Sequence, residues 1–262
     1  MLIGREPEQR ALCKAIAERS SLLVCGPAGS GKTALLEAVL GALAANQRRA
    51  CIVCAADGTP GLLWRRLVQA LAKAGDEEVL TRVERESGSS ARAEAWIQAQ
   101  TSLRLRGVLR RAARARDYAV FLDTAEALAD GTYRLLQEWV WSGRTPVILL
   151  GRGETERELG KAARLFWHEG LRLRLGALEP RFAEALLESA IERFSLARFA
   201  DAAFRGFVLE QSGRLPGPIV RLCEMASQAA YQCGEQVKLH TLAVDFLLHD
   251  LHQPVPRTLR HV

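Results

Sequence analysis

The chain has 262 residues, 48% of them apolar and 25% charged, with a formal net charge of +6 and a pI near 9.2. That composition excludes a disordered or fibrous chain and suits one large α/β domain, or a core with a small lid. No apolar run approaches membrane-spanning length, and the early charges in Met1-Leu2-Ile3-Gly4-Arg5-Glu6 are unlike a signal peptide, so the expected setting is the cytoplasm with no membrane partner. Of the 36 basic residues only five are lysine. Arginine suits bidentate contact with phosphate, yet it also accumulates with genome composition, so the basic balance raises a nucleic-acid partner without deciding it.

Taken in order, Leu2 to Gln9 leads into a helix running through about Glu18, with Pro7 near its first turn. A short apolar run, Ser21 to Cys25, reads as a strand. It is followed by Gly26-Pro27-Ala28-Gly29-Ser30-Gly31-Lys32-Thr33 and then by a helical pattern opening at Ala34. This is G-x-x-x-x-G-K-[ST] in the strand–loop–helix setting the motif needs. Gly26, Gly29 and Gly31 let the loop turn tightly and aim successive N–H groups inward, and the positive end of the following helix completes an anion cradle. Lys32 reaches the β- and γ-phosphates and Thr33 ligates Mg²⁺, so the motif binds a nucleoside triphosphate.

A strand follows at Ala50 to Ala55, led in by Arg48 and Arg49. Its Cys51 and Cys54 point to opposite faces and cannot share a metal. Turn residues Asp57 to Gly61 precede a helix through Lys73, and Gly75 to Ser90 reads as a mobile connector or surface insertion. A long helix is expected from about Arg92 to Arg116. On it Arg104, Arg106, Arg110, Arg111 and Arg114 fall within an arc of about 160°. That face is a DNA phosphate track, a solvated helix face, or a set of arginines that meet a neighbouring subunit's carboxylates.

Tyr118 to Asp123 is a buried strand ending in a carboxylate, the Walker B pattern, which would place Asp123 to hold Mg²⁺ together with Thr33. Thr124 follows, and the nearest further carboxylate is Glu126. Next come a helix at Thr132 to Ser142, whose Trp139 and Trp141 read as packing residues, and a strand at Pro146 to Leu150 with Gly151-Arg152-Gly153 after it. A helix at Glu156 to Trp167 and a strand at Leu171 to Leu175 close this part. From Leu178 the pattern is helical, with Ser212-Gly213-Arg214-Leu215-Pro216-Gly217-Pro218 at its middle and a basic tail from Gln253.

From Leu2 to about residue 250 these motifs resemble the AAA+ and STAND ATPases, most closely the origin-initiator, transposition-regulator and ExeA-type groups. The resemblance implies a P-loop core with a parallel sheet flanked by helices at residues 1–176, an all-helical lid at 177–252 and a flexible tail at 253–262. It places Ile3, Gly4 and Arg5 over the adenine. Arg152 becomes a first-sensor residue at the γ-phosphate, with an exposed loop arginine as the alternative. Arg164 becomes an arginine finger offered to a neighbouring subunit, or else a surface arginine. Several relatives carry a basic residue just after the first lid proline, where this chain has Gly217, which leaves Arg214 or Arg221 to reach the nucleotide. Hydrolysing relatives place Glu directly after the Walker B Asp; Thr124 cannot take a proton, so ATP turnover is expected to be slow or completed by a partner. The implied function is ATP-controlled homo-oligomerisation, as ring or filament, on DNA. The alternative is a nucleotide switch acting on a protein partner.

Overall fold

The computed structural model describes residues 2–45, 50–115, 117–125, 128–142 and 145–251. Glu126, Arg48, Arg49 and the tail from Gln253 therefore lie outside the described residues. The chain divides into two compact units. Among the described residues, one gathers 7–26 and 36–174, the other 2–6, 27–35 and 175–251.

The first unit is built on five parallel strands: β1 (Leu22–Gly26), β2 (Ala50–Ala55), β3 (Tyr118–Asp123), β4 (Val147–Arg152) and β5 (Arg172–Arg174). Their order across the sheet is β2-β3-β4-β1-β5, with Leu23 of β1 in register with Leu149 of β4 and Leu122 of β3 also opposite Leu149. Every residue of β1 is buried, as are Tyr118–Leu122 of β3. Such unbroken apolar runs mark strands covered on both faces, and they assign β1, β3 and β4 to the centre of the sheet. Helices α1 (Glu6–Ala17) and α3 (Pro60–Lys73) belong to this unit, the latter burying Leu63, Trp64, Leu67, Val68 and Leu71 along one face.

Gly75 to Ser90 is not a mobile connector. It holds α4 (Glu77–Ser87), which buries Val79 and Val83. Asp76 caps its start, accepting from the Val79 N–H at 2.9 Å, and left-handed Gly88 ends it. Those caps and the i, i+4 valine pair outweigh the surrounding charge. The expected long helix is divided into α5 (Ala93–Ala99) and α6 (Ser102–Ala115), because Gln100 is extended and the Thr101 hydroxyl accepts from Arg104 N–H to begin a new helix. Helix α7 (Asp130–Ser142) sets Trp139 edge-on to Trp64, with ring centroids 5.3 Å apart. Trp141, in contrast, is exposed. Gly160, at φ +54°, divides the expected helix at 156–167 into α8 (Glu156–Leu159) and α9 (Lys161–Leu165).

The second unit carries α10 (Pro180–Arg193), α11 (Ala202–Gln211), α12 (Pro216–Ala226) and α13 (Leu239–Leu251) around a core that includes Leu187, Phe204, Val208, Leu222 and Leu242. The lid is not wholly helical: a two-residue hairpin, β6 (Gln232–Cys233) with β7 (Gln236–Val237), lies between α12 and α13. Among the described residues no helix is long and apolar enough to cross a membrane.

Candidate nucleotide site

The loop after β1 is set by backbone conformation. Gly29 and Gly31 take φ of +75° and +93°, a region that costs a side-chain-bearing residue about 1–2 kcal/mol. Helix α2 (Lys32–Ala45) follows at once. Its first N–H groups have no partner within the helix, so the turn and the helix together present donors to an anion. Ser30 is fully buried. The Lys32 ammonium donates to Pro27 O at 2.9 Å and to Ser30 Oγ at 3.3 Å, while Ala28, Thr33 and Ala34 are exposed. Flexible lysine, exposed threonine hydroxyl and glycine turn fit a triphosphate with a hard cation.

The lead-in segment lies on this loop. Gly4, at φ +70°, lets the backbone approach Phe182 so closely that an added Cβ would sit 2.6 Å from that ring's Cβ and Cγ. Arg5 is only 4% exposed, and its guanidinium donates to Ser30 O at 3.3 Å and to Gly176 O. The resemblance put this residue over the adenine; here its head group is engaged with the main-chain oxygens of Ser30 and Gly176. Ile3 is half-buried. On the far side, the Gly217 N–H of α12 donates to Gly29 O at 2.8 Å, and Pro218 abuts Gly29. Arg221 is half-buried one turn beyond Gly217, on the same face of the helix. Arg214 is exposed at φ +59°, with its carbonyl accepting from Leu178 N–H.

The carboxyl edge of the sheet in the first unit holds Asp123, Thr124 and Arg152. Asp123 ends β3, and its Oδ1 accepts from the Thr124 N–H at 2.8 Å. The Thr124 hydroxyl donates to Asp123 O at 2.6 Å, and Thr124 sits at φ +59°, a strained conformation for a β-branched residue. Arg152 pairs in register with Gly26, the first residue of the phosphate motif, and Gly153 N–H donates to Gly26 O at 3.1 Å. Arg164 is exposed on α9 and lines a cleft of 630 Å³ with Arg157, Lys161 and Trp167. Thr33 carries an exposed hydroxyl and, in the other unit, Asp123 a carboxylate; oxygen donors of this kind are those Mg²⁺ prefers. Among the described residues no cluster of His, Cys, Asp and Glu forms a metal site of its own, so a bound cation would depend on phosphate oxygens for further ligands.

The arginine face of α6 is largely exposed, and four of its arginines meet carboxylates of the same chain. Arg104 pairs with Glu86 at 2.7 Å, Arg106 and Arg110 with Glu138 at 2.8 and 3.3 Å, and Arg111 with Glu78 at 3.2 Å. The carboxylates come from α4 and α7, too far along the chain for any spacing rule to reveal. Burial pushes the Glu86 carboxyl up, but hydrogen bonds from the Trp96 indole and Arg104, with the charges of Arg104 and Arg82, outweigh it and hold the group below the usual carboxylate range. Arg114, the fifth residue of the face, is exposed.

A central parallel sheet whose first strand runs through a glycine loop into a lysine-threonine helix start defines a P-loop nucleoside triphosphatase fold. The family model for the AAA ATPase domain matches residues 1–150, and the chain belongs to that family. No curated protein sequence matches it significantly. Among solved structures, a Walker-type ATPase of Pyrococcus abyssi superposes with a TM-score of 0.66 at 14% identity, covering 95% of this chain and 72% of that one. The RuvB Holliday junction branch migration motor of Thermotoga maritima gives 0.52 at 15% identity, covering 94% and 70%. The replication initiator DnaA bound to AMPPCP and single-stranded DNA gives 0.52 at 12% identity, covering 88% and 63%. At these identities the likeness is one of fold.

Proposed function

We propose that the chain is a cytoplasmic ATP-binding module in which the bound nucleotide, more than rapid turnover, sets the assembly state of several copies on DNA. The observation that carries this reading is the Gly217 N–H to Gly29 O contact at 2.8 Å. A triphosphate on the amides of this loop bears on the first turn of α12, so loaded and unloaded forms differ in how that helix is held. ATP with Mg²⁺ is the ligand: Lys32 would neutralise the β- and γ-phosphates and Thr33 would offer an oxygen to the cation, whose positive charge would be supplied to the phosphoryl group. Thr124 holds no proton acceptor, and its hydroxyl is committed to Asp123 O. Unaided hydrolysis is therefore slow, and exposed Arg164 is the residue placed to complete a neighbouring copy's site. Arg152 at the sheet edge is the γ-phosphate candidate, and Arg214 or Arg221 the candidate to reach the nucleotide.

Support for DNA comes from the net charge of +6, from the single-stranded DNA named for one structural neighbour and from the Holliday junction named for another. One observation favours a second reading, a nucleotide switch acting on a protein: four arginines of α6 are already paired within the chain. The test is particle mass and DNA affinity with and without a non-hydrolysable ATP analogue, over a range of salt. Assembly that requires DNA, with a steep salt slope that flattens in Arg110→Glu/Arg114→Glu, supports the first reading. Assembly with analogue alone and no DNA binding at low salt supports the second. A mass indifferent to the analogue refutes both.

A further inference from the structure

A loop that turns its N–H groups inward around an anion must turn its carbonyls outward. Once buried, those oxygens need donors from elsewhere in the chain. Here each has one. Pro27 O accepts from Lys32 Nζ at 2.9 Å and from Ser30 N–H at 3.3 Å. Gly29 O accepts from Gly217 N–H at 2.8 Å. Ser30 O accepts from Arg5 Nη2 at 3.3 Å. The Arg5 guanidinium, 4% exposed, reaches Gly176 O as well, and so ties the loop to the stretch where the second unit resumes.

We propose that Arg5 and Gly217 are positioning residues of the phosphate cradle: they hold its carbonyls turned out, and thereby its amides turned in, without touching the nucleotide. This rests on the ATP-binding reading above. The planar guanidinium is suited to the task because one rigid fork can serve two carbonyls at once, whereas an ammonium on a flexible stem does so less well. Gly217 is suited because an added Cβ would stand 2.7 Å from Gly29 Cα and 3.1 Å from Gly29 O, so even alanine displaces the loop. The same contact explains how a position that is basic in several relatives is glycine here. The main chain of α12, not a side chain, meets the loop.

The test separates base from phosphates. Affinities for ATP and for inorganic tripolyphosphate, each with Mg²⁺, are measured by displacement of a fluorescent ATP analogue from the full chain. Arg5→Met is expected to weaken both ligands by the same factor, about tenfold, the loss of one charge-assisted hydrogen bond. Arg5→Lys recovers part of it, and Gly217→Ala weakens both alike. Loss of ATP affinity with tripolyphosphate unchanged would place Arg5 at the base and overturn the proposal, as would two ligands left unchanged in both Arg5→Met and Gly217→Ala. A wild-type chain that binds neither ligand overturns the ATP reading itself, an outcome distinct from a failure of the variants alone.

Discussion

Gly29→Ala tests the phosphate loop most sharply. At φ +75° a Cβ costs about 1–2 kcal/mol in backbone strain alone. That Cβ would also stand 2.5 Å from Pro218 Cδ, so loop and helix must part, and the Gly217 N–H to Gly29 O bond is lost for a further ~0.5–1.5 kcal/mol. Together these make roughly 1.5–3.5 kcal/mol, or an ATP affinity roughly 10- to 400-fold weaker. The assay is titration with a fluorescent ATP analogue, with thermal unfolding as the control for global damage. The two costs separate in Gly29→Ala/Pro218→Ala: removing the proline ring relieves the collision and leaves the φ strain, so the double variant should recover part of the affinity and not all of it. An affinity within twofold of wild type for Gly29→Ala, with no change in melting temperature, would show that the loop does not hold this conformation when it binds. The cradle described above would then be wrong.

Four further outcomes are expected. Thr124→Glu restores a carboxylate directly after Asp123 and should raise the steady-state ATPase rate by ~100-fold, the lower range for a positioned general base; an unchanged rate at unchanged ATP affinity would place the limit elsewhere. Asp76→Ala removes the cap of α4 and a partner of the buried Tyr118 hydroxyl. It should cost about 2–4 kcal/mol in denaturant unfolding, whereas a loss below 0.5 kcal/mol would return residues 75–90 to the status of a loose connector. Burial pushes the Cys54 and Cys223 thiols up to about 12, so neither should react with a thiol reagent at pH 8, while exposed Cys233 should. A raised thiol pKa contributes stability below the unfolded value near 9 and loses it as pH climbs toward the folded value. Stability should accordingly fall across about pH 9 to 12, as read by unfolding midpoints.

The phosphate motif, the strand ending at Asp123 and the parallel α/β class were legible because each depends on neighbours in sequence. Gly26 to Thr33 fixes a local turn, and an unbroken apolar run such as Tyr118 to Leu122 admits few placements other than a covered strand. Helix α4 was legible too, in Asp76, the Val79–Val83 spacing and Gly88, but the charge of the segment concealed it. The breaks at Gln100 and Gly160 escaped because each is one residue's conformation within a pattern that otherwise continues.

The roles of the arginines could not be read from spacing at all. Arg5 meets Ser30 and Gly176, 25 and 171 residues away, and Arg106 meets Glu138 across 32. A guanidinium on a long stem takes its meaning from whichever carbonyl or carboxylate the folded backbone brings within about 3 Å. Local order along the chain thus determined the glycine loop on which the proposed triphosphate site rests. Packing between distant segments decided which cations brace that cradle, which are neutralised by the protein's own acids, and which face outward.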